Sequence, residues 1–344
     1  MTTSDTPTSR GKTLFVSDLH LTHADLYASG LAWFDPTAHL ARLVRFIERE
    51  VVERASEVGR LVLLGDTFDT WQTPMGERPK SYAEVFEGNV EVLAGLARAI
   101  ERGVEVILTR GNHDWDLAEG DLAEVLPGAR LVDDVRTRYA HAEHGHALTM
   151  FNSGDMDAIE GRPAGYFFGR LGEERLPGGH SVSGVAGYIQ RGALNALHRP
   201  DFLGKVFEVI FEVAGVRDEE EFVLERGEVV TAAQVCQRYA LSSEDLAVRE
   251  RLWRLTQRPT NMRGTARRRL EREHKELVIF GHSHNARLGR TRAGALYANC
   301  GAWCQEDAHA IELYEDEGGA RVALRGVHED GTMETLRVFP LAAR

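Results

Sequence analysis

Five short words in the sequence carry side chains that can bind metal ions: Asp18-Leu19-His20, Gly65-Asp66-Thr67-Phe68-Asp69, Gly111-Asn112-His113-Asp114, His144-Gly145-His146 and Gly281-His282-Ser283-His284. Carboxylate oxygen, amide oxygen and imidazole nitrogen in one set suit Mn²⁺, Fe or Zn²⁺ better than Ca²⁺ or Mg²⁺. With no cysteine in the set, a thiolate zinc site is not indicated. In Asp18-x-His20 and His282-x-His284, residues two apart on an extended backbone would point the same way. A glycine beside each candidate ligand lets the chain turn and come close to an ion. Singly, each word has an ordinary explanation, such as a surface triplet, a turn or a left-handed loop. As a series in which each word ends a predicted strand, they point to one cage built from several loops.

The elements that would have to build that cage can be read from the pattern. Thr13–Val16, Leu61–Leu64 and Val104–Leu108 are short apolar runs, each cut off by one of the words, and they read as buried strands. Between them, Asp35-Pro36 opens a helix with Leu40, Leu43, Val44, Ile47 and Val51 at helical spacing, and Leu93, Leu96, Ala97 and Ile100 mark a second helix. This β-α-β-α-β order predicts parallel strands whose carboxyl ends share one rim, where ligands bind. Thr137–Ala140, Ala147–Phe151, Leu277–Phe280, Leu296–Asn299, Ala308–Tyr314, Arg321–Val327 and Thr335–Val338 also read as strands, with few helices among the late ones. They are expected to form a second, more antiparallel sheet packed on the first. Residues 13–154 and 276–344 are expected as the core, 155–275 as a mostly helical insertion or cap, and 1–12 as a disordered tail.

Composition narrows the function classes. The chain has 344 residues, 43% hydrophobic and 27% charged, which fits an ordinary globular protein. A formal net charge of -12 disfavours nucleic acid as a partner. No run is long enough to span a bilayer and the amino terminus lacks an apolar signal, which leaves only peripheral membrane contact open. Three cysteines, Cys236, Cys300 and Cys304, do not make a disulfide framework, and a reducing cytoplasm is the expected setting. The oligomeric state is not legible.

Together the five words resemble the signature of the calcineurin-like metallophosphoesterase family, over about residues 13–338 with the middle insertion unmatched. The resemblance implies an α/β (α+β) fold, a four-layer α-β-β-α sandwich holding two divalent metal ions, Mn, Fe or Zn. Carried over position by position, Asp18, His20 and His284 would hold one ion, Asn112, His144 and His282 the other, and Asp66 both. His113 would act at the leaving or attacking oxygen with Asp69 as its orienting partner, while His146 has no firm role. The implied reaction is hydrolysis of a phosphate mono- or diester or a pyrophosphate in a small phosphorylated substrate, by a hydroxide that the metal pair activates.

Within the family, Phe15–Leu21, Gly65–Trp71, Gly301-Ala302-Trp303 and the helical insertion resemble the UDP-2,3-diacylglucosamine pyrophosphohydrolases. Those enzymes usually carry arginine where this chain has His113 and aspartate where it has His146. From a different class, a non-catalytic binding scaffold on the same fold should have lost ligands or His113, and none is missing. The basic run Arg263, Arg267, Arg268, Arg269 and Arg272 could steer an anionic substrate, though a solvated helix face explains it as well. Tyr166-Phe167-Phe168 and Val206–Phe211 could line an acyl or base pocket, or simply form core. Cys300 and Cys304 read as buried thiols rather than as a redox pair.

Overall fold

The computed structural model describes residues 11–29, 34–149, 151–152, 159, 161–171, 175, 201–244, 270, 273, 275–291, 294–317 and 319–341. The chain divides into two compact units, one of Met1–Asp69, Tyr82–Gly145 and Pro259–Arg344, the other of Thr70–Ser81 and His146–Arg258.

The first unit is built on β1 (Lys12–Val16), β2 (Val58–Leu64), β3 (Glu105–Thr109) and β4 (Arg130–Val132), all parallel neighbours. Their apolar runs are unbroken because both faces of the sheet are covered. Leu14, Val16, Leu61, Leu63, Val106 and Leu108 face one way and pack with Leu43, Phe46, Ile47, Val51, Leu93 and Leu96 from the two predicted helical regions. Those regions are the continuous helical stretch from Pro36 to Val52, where the Asp35 carboxylate accepts the Ala38 N–H, and the helix Val90–Glu101. Phe15, Val62, Leu64 and Ile107 face the other way, onto a second sheet.

That second sheet runs in the order β10 (Arg287–Arg290), β11 (Leu296–Asn299), β9 (Leu277–Phe280), β6 (Ala140–Ala142), β5 (Val135–Arg136). Its central pairs β11–β9 and β9–β6 are parallel. Ala140, Ala142, Leu277, Ile279, Leu288, Leu296 and Ala298 close the space between the sheets. Among the described residues this gives helix, sheet and sheet, three successive layers of the α-β-β-α order.

Several expectations need correction. β12 (Ala308–Asp316), β13 (Gly319–Val327) and β14 (Met333–Leu341) do not belong to the second sheet. They extend the first, in the order β14-β13-β12-β1-β2-β3-β4, because β12 pairs antiparallel with β1 from Lys12↔Tyr314 to Phe15↔Ile311. Alternation announces an antiparallel strand without saying which sheet receives it. The described part of Ala147–Phe151 is not a strand; Gly145 turns at φ 101° and a short 3-10 turn, His146–Leu148, follows. Lys12 is not tail but the first residue of β1, buried, with its ammonium 3.1 Å from Glu57.

The second unit contains the helices Ala164–Gly169, Phe202–Val213 and Ala232–Glu244, and a hairpin of β7 (Glu221–Val223) and β8 (Val229–Thr231) that the pattern did not announce. Tyr166, Phe167, Phe207, Phe211, Phe222 and Tyr239 stack edge to face or offset in its interior, so the aromatic runs are core. Thr70–Ser81 joins this unit through the Val223 N–H, which donates to Met75 O, through Trp71 against Tyr166, and through the Arg170 side chain. The buried Arg170 guanidinium donates to the carbonyls of Thr73, Pro74, Met75 and Glu77, and to those of Val223 and the Tyr166 hydroxyl. Arg263, Arg267, Arg268, Arg269 and Arg272 lie outside the described residues. No helix among the described residues is long and apolar enough to cross a membrane.

Candidate metal centre

Each candidate site residue sits in the loop that ends a strand of the first unit: Asp18 and His20 after β1, Asp66 and Asp69 after β2, Asn112 and His113 after β3, His144 after β6, His282 and His284 after β9. The backbone there is unusual. Among the described residues the non-glycine positions with positive φ are Asp18 (56°), His20 (51°), Asp66 (50°), His282 (65°) and His284 (52°). Side chains two apart therefore converge through paired left-handed turns, not through an extended backbone as the spacing suggested. Each such residue costs roughly 1–3 kcal/mol and persists only where its surroundings hold it.

Those surroundings are backbone ties between loops. Asp18 N–H donates to Gly65 O (3.1 Å), His20 N–H to Asp66 O (3.0 Å), and Trp303 N–H to Asp18 O (3.0 Å). His282 N–H donates to the Asp18 carboxylate, and Gly281 N–H to His144 O. The loops approach so closely that side chains are excluded between them. A Cβ on Gly111 would lie 2.0 Å from Asp66 Oδ1, and one on Gly281 would lie 1.9 Å from Ser17 Oγ.

The side chains meet as follows. Asp66 Oδ2 lies 3.1 Å from His144 Nε2 and 3.9 Å from His20 Nε2, while Asp18 Oδ1 lies 3.2 Å from His284 Nε2. His20 Nε2 and His284 Nε2 are 3.2 Å apart, and the His144 and His282 rings lie 5.2 Å apart between centroids. One carboxylate oxygen, Asp69 Oδ2, stands 2.8 Å from both His20 Nδ1 and His113 Nδ1. Asn112 stands between Gly111 and His113, whose backbone N–H donates to Asp66 Oδ1 at 2.8 Å.

These buried charges set one another. Burial alone would lower His113, but the Asp69 and Asp66 carboxylates outweigh it and hold the ring above its ordinary value. Burial would raise Asp69, yet His113 and His20 keep it well below the usual carboxylate range. His20, pressed chiefly by burial, is lowered. His144 is lifted to about 9, because Asp66 and Asp18 overcome its burial.

The donor set fits metal ions. His144 Nδ1 lies 2.9 Å from the Leu64 carbonyl oxygen, which can only accept, so Nδ1 carries a proton and Nε2 faces Asp66. Between that nitrogen and a carboxylate a proton or a cation has to sit. Asn112 Oδ1 is buried with no hydrogen-bond donor among the described residues, a costly state that a cation resolves. Two groups of ligating atoms share Asp66: Asp18, His20 and Asp66 in one, Asp66, His144 and His282 in the other, all within 4.8 Å of one another in each group.

Three residues with no assigned role hold this arrangement. Asp114 accepts backbone N–H groups from Gly111, Asp66, Thr67 and Phe68, clamping the loops after β2 and β3 together. Burial and the nearby Asp66 lift its carboxyl to about 7. Asn299 donates to Gly281 O and accepts from Gly301 N, tying the loops after β9 and β11. Cys304 Sγ lies 3.9 Å from His284 Nδ1. Asp114 could have been suspected from its place in the Gly-Asn-His-Asp word; nothing in the sequence marks the other two. His146 falls in the other unit.

Residues 11–171 match the Calcineurin-like phosphoesterase family model. Among curated proteins, one from Ralstonia nicotianae named UDP-2,3-diacylglucosamine hydrolase is 33% identical over 142 residues, 40% of this chain and 44% of that protein. The chain thus spans less than half the length of that relative. Among solved structures, a dimetal phosphatase from Danio rerio matches 96% of this chain and 98% of its own at 13% identity and a TM-score of 0.42. A predicted phosphoesterase from Streptococcus pneumoniae matches 97% and 99% at 11% identity and a TM-score of 0.32.

Proposed function

We propose that the protein is a metal-dependent phosphohydrolase that cleaves phosphate mono- or diester or pyrophosphate bonds in a small phosphorylated substrate. The observation that carries this reading is Asp66, whose carboxylate belongs to both groups of ligating atoms while His113 stands beside them on Asp69. Asp18, His20 and His284 would hold one divalent cation and Asn112, His144 and His282 a second, with Asp66 available to both. When bound, a pair of Mn, Fe or Zn ions supplies positive charge for the phosphate oxygens and lowers the pKa of water. Asp69 fixes the His113 tautomer and favours its protonated form, so that His113 gives a proton to the departing oxygen. Asp69 holds His20 by the same oxygen, and its one carboxylate therefore orients both a ligand and the acid.

A narrower reading, hydrolysis of a nucleoside-diphosphate lipid such as UDP-2,3-diacylglucosamine, is supported by the name of the 33% identical relative. Three free cysteines support a cytoplasmic setting. The test is hydrolysis of p-nitrophenyl phosphate, its bis ester and a UDP-linked pyrophosphate with manganese, with and without a chelator. Turnover that the chelator abolishes is expected. Metal bound with none of the three cleaved would favour a binding scaffold and overturn the proposal.

A further inference from the structure

Three histidines of the centre turn one ring nitrogen toward the other ligands and the second away from them, and the groups that meet the second nitrogen differ in kind. His20 Nδ1 meets the Asp69 carboxylate, His144 Nδ1 meets the Leu64 carbonyl, and His284 Nδ1 meets the sulfur of Cys304 at 3.9 Å. An imidazole that binds a cation through Nε2 carries its proton on Nδ1, and the group that accepts this proton fixes the ring's angle and strengthens the ligand. His284 Nε2 faces Asp18 Oδ1 and His20 Nε2, each at 3.2 Å, so its Nδ1 side is the outer one.

The loop that carries Cys304 is built into this position. Trp303 N–H donates to Asp18 O, Asn299 ties the loop to Gly281, and Gly301, at φ 75°, brings the backbone against Ala286. A Cβ on Gly301 would stand 2.9 Å from the Ala286 Cβ. The same ties that shape the Asp18 turn therefore set the sulfur against His284. Ligating atoms of His20, His284 and Cys304 lie within 4.8 Å of one another.

We infer that Cys304 is a positioning residue of the centre: its sulfur accepts the His284 Nδ1 proton and selectively strengthens the cation site formed by Asp18, His20 and His284. The inference rests on the metal-centre reading. Sulfur is a weaker acceptor than a carboxylate or carbonyl, but it meets this nitrogen at 3.9 Å, so its loss is felt at this cation.

The test is a manganese titration of the full chain, with metal content measured by mass spectrometry after dialysis against graded chelator. Two cations are expected in the unchanged protein. Cys304→Ala should weaken one of them by roughly 10–100-fold and leave the other unchanged. Cys304→Ser, whose hydroxyl oxygen can accept the same proton, should recover part of the loss. Thermal unfolding of the metal-free variants reports whether the fold survives. If the unchanged protein binds no metal, the metal-centre reading fails. If it binds two and Cys304→Ala either matches it or loses both equally with its fold intact, the role of Cys304 fails alone. Cobalt loading adds a further check: an intense thiolate-to-cobalt charge-transfer band would make Cys304 a direct ligand and overturn the outer role.

Discussion

At the scale of single residues, the centre is a set of polar groups whose neighbours decide their protonation. Asp69 shows this most plainly, since one oxygen stands 2.8 Å from both His20 and His113. His113→Ala should keep its metal, because the ring is not among the proposed ligands, and should lose roughly 10²–10⁴-fold in turnover. Asp69→Asn should lose turnover over a similar range and also weaken metal binding at His20 by roughly 10–100-fold. Steady-state rates paired with metal analysis separate the two, and a His113→Ala protein without metal would count against the assignment. The convergence of Asp18, Asp66, Asn112, His144, His282 and His284 could be suspected because each belongs to a word that follows an apolar run or contains a glycine. The roles of Asn299 and Cys304 could not be, since their partners are loop groups 18 and 20 positions away in the chain.

At the scale of elements, parallel strands covered on both faces explain why β1, β2 and β3 read as continuous apolar runs and why their loops share a rim. The other end of the same strands is held by charge. Glu105 on β3 takes a hydrogen bond from Arg60 Nε on β2 at 2.6 Å and another from Arg130 on β4. Partial burial would raise the Glu105 carboxyl, but the two arginines outweigh it and hold it below its ordinary value. A depressed folded value stabilises the protein above the unfolded value, and that stability is lost as pH falls through the folded one. Glu105→Gln should thus cost about 0.5–1 kcal/mol near neutral pH and progressively less toward about pH 3, read by denaturant unfolding at both values. A cost that grew on acidification would contradict the sign. In the second unit, Arg170→Leu removes the donor shared by five carbonyls and should cost about 3 kcal/mol or more in the same assay. Neither this arginine nor the β7–β8 hairpin was legible, because carbonyl partners leave no mark on side-chain pattern.

At the scale of the whole molecule, local periodicity found most strands but not their assembly. β12, β13 and β14 alternate as antiparallel strands should, yet only the pairing of β12 with β1 tells which sheet they join. Composition spoke more directly, a net charge of -12 disfavouring a polyanion held by surface charge. Crystals of the manganese-loaded protein, measured for anomalous scattering, test the central claim most directly. Two peaks about 3.5–4 Å apart, with the Asp66 carboxylate in contact with both, are the expected result. A single peak, or a pair that Asp66 does not join, would contradict it.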